Sequence, residues 1–163
     1  MPFCASRLYS WGKLPQGAFV GVERDLRDFP FTNILGLSSY PYLGGFRDPD
    51  QIPLDYYTRV RGTRALPVMV VEGGWPSASV PGVFSSSPQM QAKYIVRQSQ
   101  ILDQSKAIGV FQLSFTDLDL ANFPKPVPAI LPLFATLGLV DMRLRPKPAL
   151  ATWDEVFARP LPR

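Results

Sequence analysis

Two of the residues that most often carry chemistry are scarce in this sequence. It contains no histidine and a single cysteine, Cys4. Catalysis by a Ser-His-Asp or Cys-His arrangement is therefore excluded, because histidine is the base in both. An internal disulfide and a cysteine-based metal cluster are excluded as well, and the commonest zinc ligand is missing. A metal site made of carboxylates alone stays open, but no spacing indicates one, and we expect no cofactor.

Charge and long apolar runs are also limited. The net charge is +4, and the basic residues are scattered apart from a small cluster at Arg143, Arg145 and Lys147. Nucleic-acid-binding proteins usually carry a denser basic stripe, so we interpret this cluster as a solvated face and expect no nucleic acid partner. No apolar run approaches the length of a transmembrane helix, and no secretory signal is visible. We therefore expect no membrane partner.

The length and hydrophobic content of the chain are sufficient for one folded domain. The chain has 163 residues, of which 46% are hydrophobic, and its 18 prolines cluster near the ends of predicted elements. This composition is typical of a folded rather than a disordered chain. We expect a single domain over 1–163, with a poorly defined lead-in over 1–30 and strand–helix units over 31–158.

Apolar runs and helical stripes alternate along the chain. Predicted strands cover 33–40, 68–72 and 110–115, and predicted helices cover 54–64, 87–106, 129–137 and 146–158. Earlier, 5–11 is compatible with the end of a helix and 18–22 with a strand. Alternating units predict an α/β fold with a parallel sheet and right-handed crossovers. Each strand ends in polar residues, so the exit loops should meet on one rim, as in a barrel or an open-sheet crevice.

The segment from Leu66 to Ser77, with sequence LPVMVVEGGWPS, is the centre of this pattern. An uninterrupted apolar run is typical of a strand buried on both faces, and here it ends in a carboxylate, Glu72. A charge at the end of a buried strand is costly to desolvate unless it is used. Glu72 is therefore a candidate catalytic residue. The alternative is a carboxylate that caps the next helix or pairs with an arginine.

Three motifs resemble the last strands of a clan A glycoside hydrolase barrel. They are SSYPY at Ser38–Tyr42, VVEGGWPS at Val70–Ser77 and GLVDMRLRPKPALATW at Gly138–Trp153. The nearest resemblance is to the endo-β-1,4-galactanase (arabinogalactanase) group. It implies a partial (β/α)8 TIM barrel, roughly the last four units, with parallel strands and outer helices.

The resemblance also implies roles for single residues. Glu72 would be the nucleophile of a retaining hydrolase, and Tyr40 would orient it by a hydrogen bond. Trp75 would stack on or flank a sugar ring. The other residues implied to contact substrate are Phe115, Asp117, Tyr42 and Ser39. Phe115 stands where the family often has a tryptophan.

Length and one absent motif depart from the family pattern. A complete barrel needs about 250 residues. Retaining hydrolysis needs a second carboxylate, which the family usually carries in an Asn-Glu pair, and the sequence has no such pair. We therefore expect the C-terminal half of a hydrolase that acts on β-linked poly- or oligosaccharides. Alone it would be inactive, and its partner would be the missing N-terminal half-barrel.

Other interpretations stay open. The chain could be a non-catalytic carbohydrate-binding or degenerate half-barrel, or a module that completes a barrel with a partner chain. The sequence leaves the compartment open, although a secreted or periplasmic parent protein is compatible with a polysaccharide substrate.

Overall fold

The computed structural model describes residues 4–8, 20–61, 64–158 and 160, with side chains from residue 24 onward. Its helices and strands are β1 (Cys4–Leu8), α1 (Val20–Asp28), β2 (Ile34–Ser39), β3 (Val68–Gly73), α2 (Pro88–Ser105), β4 (Gly109–Val110) and α3 (Pro148–Phe157). Single 3-10 turns lie at Pro49–Gln51, Thr58–Val60 and Leu131–Leu133.

The strands form one parallel sheet. Its order is β1-β2-β3-β4, and every neighbouring pair is parallel. This confirms the predicted α/β class with a parallel sheet. Four strands among the described residues are half the number of a barrel of eight, and their assignment to the last four barrel units stays a prediction.

Four predicted elements are confirmed almost in full. β2, β3, α2 and α3 begin and end within two residues of the predicted bounds. Each has a strong local signal. The two strands are apolar runs that end in small or polar residues. Both helices begin with a proline in the first turn, where its missing N–H costs nothing.

Both predictions for the N-terminal part are wrong. Residues 4–8 form a strand where we expected a helix end over 5–11, and 9–19 lie outside the described residues. Residues 20–28 form α1 where we expected a strand over 18–22. Residues 4–8 form a strand because they pair with β2. In α1, the charged residues after Val22 continue the helix, with an ion pair between Arg24 and Asp28 one turn apart.

Three further elements are shorter than predicted. The helix expected over 54–64 is reduced to turns and the 3-10 turn Thr58–Val60, since the stretch between Pro53 and Gly62 is too short to offset helix nucleation. The strand expected over 110–115 pairs only at Gly109–Val110. The helix expected over 129–137 is the 3-10 turn Leu131–Leu133, which contains a proline.

The chain divides into two compact units. The first comprises Met1–Phe46, Gln51–Gly73 and Gln100–Phe111, and it contains the whole sheet. The second comprises Arg47–Asp50, Gly74–Ser99 and Gln112–Arg163. Helix α2 contributes its first two thirds to the second unit and its last turn and a half to the first. Among the described residues, no helix is long and apolar enough to cross a bilayer.

Each unit has its own buried residues. In the first, one face of β2 and β3 is apolar and fully covered, at Leu35, Leu37, Val68 and Val70. In the second, Ile95, Leu139 and Ala149 form a buried cluster. Four partly buried side chains of α3 pack against it: Leu150, Trp153, Val156 and Phe157.

Candidate active site

A register shift between β2 and β3 decides which way Glu72 points. The strands pair regularly up to Leu37, and the next pair is Ser38 with Glu72, so Val71 is an extra residue in β3. Successive side chains of a strand alternate between faces. Without the bulge, Glu72 would pair with Ser39, on the same face as buried Leu37. With it, Glu72 shares the face of Ser38. Bulges that redirect a side chain are common beside active sites.

Tyr40 meets Glu72 on that face. It lies two residues after Ser38 and so continues the same row of side chains. The Tyr40 hydroxyl donates a hydrogen bond to Glu72 Oε1. Tyr40 is fully buried and Glu72 is partly buried. The acid is therefore held by a phenol, and among the described residues no arginine or lysine forms an ion pair with it.

Burial and the acid together keep Tyr40 neutral. Desolvation raises the pKa of Tyr40 far above its usual value, and the hydrogen bond to Glu72 and the charge of Glu72 raise it further. A neutral phenol can only donate to a carboxylate. The pair consequently consists of a phenol that donates and a carboxylate that accepts.

Tyr42 and Ser39, the other predicted substrate-binding residues of this unit, are buried. The ring of Tyr42 packs edge-on against Tyr40, with centroids 6.1 Å apart at 78°. Burial raises the pKa of Tyr42. Ser39 follows Ser38 and so lies on the other face of β2, where its Oγ is 2.9 Å from the hydroxyl of Tyr57. Their contact with a substrate stays a prediction.

The remaining predicted site residues belong to the second unit. Trp75 is only 1% exposed. Its ring stacks on Tyr94, with centroids 5.5 Å apart, and its indole N–H donates to Ser86 Oγ at 3.0 Å. Phe115, by contrast, is 59% exposed. Packing inside the unit therefore accounts for Trp75, and the sugar-stacking role of both rings stays a prediction.

Asp117 is engaged by several protein groups. Its carboxylate forms an ion pair with Lys147, and the side chains are only 13% and 10% exposed. Asp117 Oδ1 also accepts the backbone N–H of Gly138 at 3.0 Å, and Lys147 donates to Ser77 Oγ at 2.9 Å. The Ser77 hydroxyl in turn donates to the carbonyl of Thr136. This network braces the loops of the second unit, and substrate binding by Asp117 stays a prediction.

Sequence reasoning missed the bulge at Val71 and the contact of Tyr57 with Ser39. A bulge leaves no mark in an apolar run, because every residue of Val68–Val71 is compatible with a strand. Tyr57 lies within the predicted helix over 54–64, and nothing in the sequence there points to a contact with Ser39. Among the described residues, no group of three acidic or cysteine side chains is arranged to hold a metal ion.

Comparison with known proteins finds likeness in structure only. No family model and no curated protein matches the sequence. A Ruminococcus gnavus beta-glucuronidase matches 99% of this chain with 27% of its own, at TM-score 0.61 and 14% identity. An uncultured Clostridium sp. beta-glucuronidase matches 79% with 23% of its own, at TM-score 0.57 and 18% identity.

A third solved structure is a Rhizomucor miehei beta-1,3-glucanosyltransferase, an active-site mutant in complex with laminaritriose. It matches 90% of this chain with 48% of its own, at TM-score 0.55 and 19% identity. The chain thus has the fold of a part of these carbohydrate-active enzymes and spans 23% to 48% of their length. None of the three is a galactanase, so the resemblance to that group stays a prediction.

Proposed function

We propose that this chain carries the nucleophile strand of a retaining glycoside hydrolase that acts on a β-linked poly- or oligosaccharide, with Glu72 as the nucleophile. The observation that supports this most is the Tyr40–Glu72 hydrogen bond. It joins the carboxyl ends of neighbouring parallel strands, which is where parallel barrels place their catalytic residues. The fold it shares with part of two beta-glucuronidases and a beta-1,3-glucanosyltransferase adds to the support.

In this proposal each group has a defined task. The hydrogen bond from Tyr40 occupies Oε1 of Glu72 and so leaves Oε2 as the attacking oxygen. Attack on the anomeric carbon breaks the bond to the leaving oxygen and forms a glycosyl ester. Water then hydrolyses the ester and regenerates the carboxylate. Tyr40 stays protonated throughout and holds the carboxylate in one orientation.

The acid/base residue is proposed to lie outside this chain. A retaining mechanism requires a second carboxyl group about 5 Å from the nucleophile. The sequence has three glutamates, Glu23, Glu72 and Glu155. Glu23 belongs to α1, and Glu155 is exposed on α3 in the second unit. We infer that a longer parent protein, or its N-terminal half-barrel as a partner, supplies the acid. We propose the endo-β-1,4-galactanase group as the nearest relative of that parent.

A mechanism-based label tests the role of Glu72 without the missing acid. 2-Deoxy-2-fluoro glycosides with a dinitrophenolate leaving group need no protonation, so a competent nucleophile is trapped as its ester. The chain would be incubated with the galactoside, glucoside and glucuronide forms of this reagent. We expect intact-mass analysis to show one added fluoroglycosyl group, and peptide mapping to place it on Glu72.

A matched pair of variants controls the labelling. Glu72→Gln should take up no label. Glu155→Gln, the same change at an exposed glutamate, should react like the unsubstituted chain. Equal labelling of Glu72→Gln, or a label on another residue, would refute the nucleophile role.

The alternative function is carbohydrate binding without catalysis. The sequence favours it, because it contains no Asn-Glu pair that would supply a partner acid. In that case Glu72 accepts a hydrogen bond from a sugar hydroxyl. Two results together would favour this function. The unsubstituted chain would bind an oligosaccharide in calorimetry without taking up the label, and Glu72→Gln would not bind it. A module that completes a barrel would instead bind a partner chain.

A further inference from the structure

A second buried hydroxyl contact lies on the face of β2 opposite Glu72. Ser39 Oγ and the Tyr57 hydroxyl are 2.9 Å apart, and each residue is 2% exposed. Ser39 is the last residue of β2, and Tyr57 directly precedes the 3-10 turn Thr58–Val60. The contact therefore ties the end of β2 to a segment 18 residues further along the chain.

Tyr57 is itself held in place by aromatic packing. Its ring centroid lies 5.4 Å from that of Tyr56. Tyr56 packs edge-on against Phe46, with centroids 5.8 Å apart at 85°. The backbone N–H of Phe46 donates to the carbonyl of Pro41, the residue after Tyr40. The exit loop of β2 and the segment around Tyr57 thus form one packed block.

The backbone of Ser39 is constrained from a second side. A Cβ atom on Gly73 would lie 2.8 Å from the carbonyl oxygen of Ser39, so β2 and β3 approach more closely here than any side chain at 73 allows. Ser39 is consequently fixed by a hydroxyl contact through its side chain and by β3 through its backbone. Because Tyr40 is the next residue, these constraints also set where its ring emerges.

We propose that Tyr57 and Ser39 are positioning residues for the Tyr40–Glu72 pair: their hydroxyl contact holds the end of β2 so that the Tyr40 phenol meets Glu72 Oε1. The inference rests on the proposed function only where it says that the Tyr40–Glu72 pair is catalytic. The geometry itself belongs to the folded chain. The competing explanation is that the contact merely satisfies two buried hydroxyls, as buried polar groups generally require.

Ionisation of Tyr40 separates the two explanations. Contact with Glu72 contributes to the raised pKa of Tyr40, next to burial. If Tyr57 positions Tyr40, loss of the Tyr57 hydroxyl weakens that contact and the pKa of Tyr40 falls toward its usual value. If the hydroxyl contact only satisfies polar groups, stability falls while the ionisation of Tyr40 is unchanged.

The experiment is an NMR titration of the chain labelled with [13Cζ]tyrosine, in which the ring carbon shift reports ionisation of each tyrosine. The Tyr40 signal is assigned by its absence in Tyr40→Phe. We expect Tyr40 of the parent to stay protonated up to the alkaline limit of the fold. In Tyr57→Phe and in Ser39→Ala the Tyr40 signal should instead titrate while the chain is still folded. Circular dichroism at each pH confirms that the chain is folded.

Tyr94→Phe is the matched control. Tyr94 is also a buried tyrosine whose hydroxyl is hydrogen-bonded, to Gln98 Nε2 at 3.0 Å, but it belongs to the second unit. It should leave the titration of Tyr40 unchanged. An unchanged Tyr40 titration in folded Tyr57→Phe and Ser39→Ala would overturn the proposal. So would loss of fold in both variants at neutral pH, which would show a general structural role.

The titration also separates this inference from the proposed function. It needs no substrate, so it succeeds or fails whether or not Glu72 takes up a fluoroglycosyl label. If Glu72 is labelled, Tyr57→Phe should in addition lower the labelling rate about tenfold or more, while Tyr94→Phe should not.

Discussion

Tyr40 is a phenol that the fold keeps protonated, and this has a consequence in alkali. Its folded-state pKa lies well above the value of about 10 that tyrosine has in an unfolded chain. The stabilisation is complete below pH 10. Above that pH the unfolded chain releases a proton that the folded chain keeps, so stability falls as the pH rises toward the folded-state pKa.

We therefore predict that the free energy of unfolding decreases between pH 9 and pH 11, and that the decrease is smaller in Tyr40→Phe. Tyr42, whose pKa burial also raises, should retain part of the dependence. Urea titrations at each pH give the measurement. Glu155→Gln is the control, because it changes an exposed side chain and leaves both tyrosines in place. An identical pH profile for the parent and Tyr40→Phe would contradict the prediction.

Among single residues, the sequence singles out those whose chemistry stands out locally. Glu72 is an isolated acid after an apolar run, and its partnership with Tyr40 followed from the motif resemblance rather than from spacing. Trp75 and Asp117 show the limit of such reasoning. A tryptophan or an acid next to a strand end has the same letters whether it faces a ligand or packs on Tyr94 or Lys147.

At the scale of elements, the spacing of β2 and β3 depends on the absence of a side chain at 73. An alanine there would place its Cβ 2.8 Å from the Ser39 carbonyl oxygen and 3.1 Å from Val70 Cγ1. Because backbone atoms cannot give way cheaply, we expect Gly73→Ala to lower the free energy of unfolding by about 1–3 kcal/mol. Urea denaturation measures it.

Gly109→Ala is the corresponding control in β4. Its Cβ would meet only the flexible side chain of Met69 at 3.4 Å, which is an ordinary contact. It should change the free energy of unfolding by less than about 1 kcal/mol. Equal effects of the two substitutions would show that the close approach at Gly73 is not limiting.

The loops of the second unit depend on the Asp117–Lys147 ion pair. Lys147→Met would leave the carboxylate of Asp117 buried without its cation, and removing one partner of a buried pair costs about 3–5 kcal/mol. Since both side chains keep some exposure, we expect the lower end of that range. Thermal or urea unfolding measures the loss.

Lys93→Met tests the same change at an exposed site. Lys93 pairs with Asp48 and Asp50 at 2.8 Å and 2.7 Å, but all three side chains are well exposed. Because exposed ion pairs contribute little to stability, Lys93→Met should lower the free energy of unfolding less than Lys147→Met does. A larger loss in Lys93→Met than in Lys147→Met would contradict the assignment of Lys147 as the bracing residue.

Element prediction succeeded where local signals agree and failed where tertiary pairing decides. The prolines in the first turns of α2 and α3 indicate helix starts, and the apolar runs of β2 and β3 indicate strands. Cys4–Leu8 is a strand because β2 lies beside it, a fact that no local pattern contains. The register shift at Val71 is likewise a property of two strands together.

At the scale of the whole molecule, the outer edge of the sheet is exposed. Within the described residues β4 pairs only with β3, and its flanking residues Ile108 and Phe111 are 56% and 59% exposed. Unpaired strand edges favour association with another chain. We predict that the isolated chain self-associates with rising concentration and unfolds with low cooperativity.

Sedimentation velocity over a range of concentrations tests this prediction. Ile108→Lys should shift the chain toward monomer, since a charge beside an edge strand opposes pairing. Met142→Lys, an equally exposed apolar residue in the second unit, should leave association unchanged. A clean monomer with a sharp unfolding transition in the parent would contradict the prediction.

The α/β class with a parallel sheet was predictable from the alternation of strand and helix patterns, whereas the barrel assignment from three short motifs stays a prediction. The structural likeness to parts of three carbohydrate-active enzymes extends to the fold alone. The finer assignment to a galactanase depends on loops and partner strands that these motifs do not contain. Identities below 20% leave that assignment to experiment.

Because of the bulge in β3, the orientation of Glu72 depends on the number of residues before it in the strand more than on their identity. Removing Val71 would keep the acid and its two glycines, yet it would turn the carboxylate toward the face that carries Leu37 and Val70. Replacing Val71 by isoleucine would keep the geometry. Two proteins with the same glutamate and one residue fewer before it are therefore not equivalent. The number of residues between the start of β3 and the glutamate, odd or even, is a simple criterion for which relatives share this orientation.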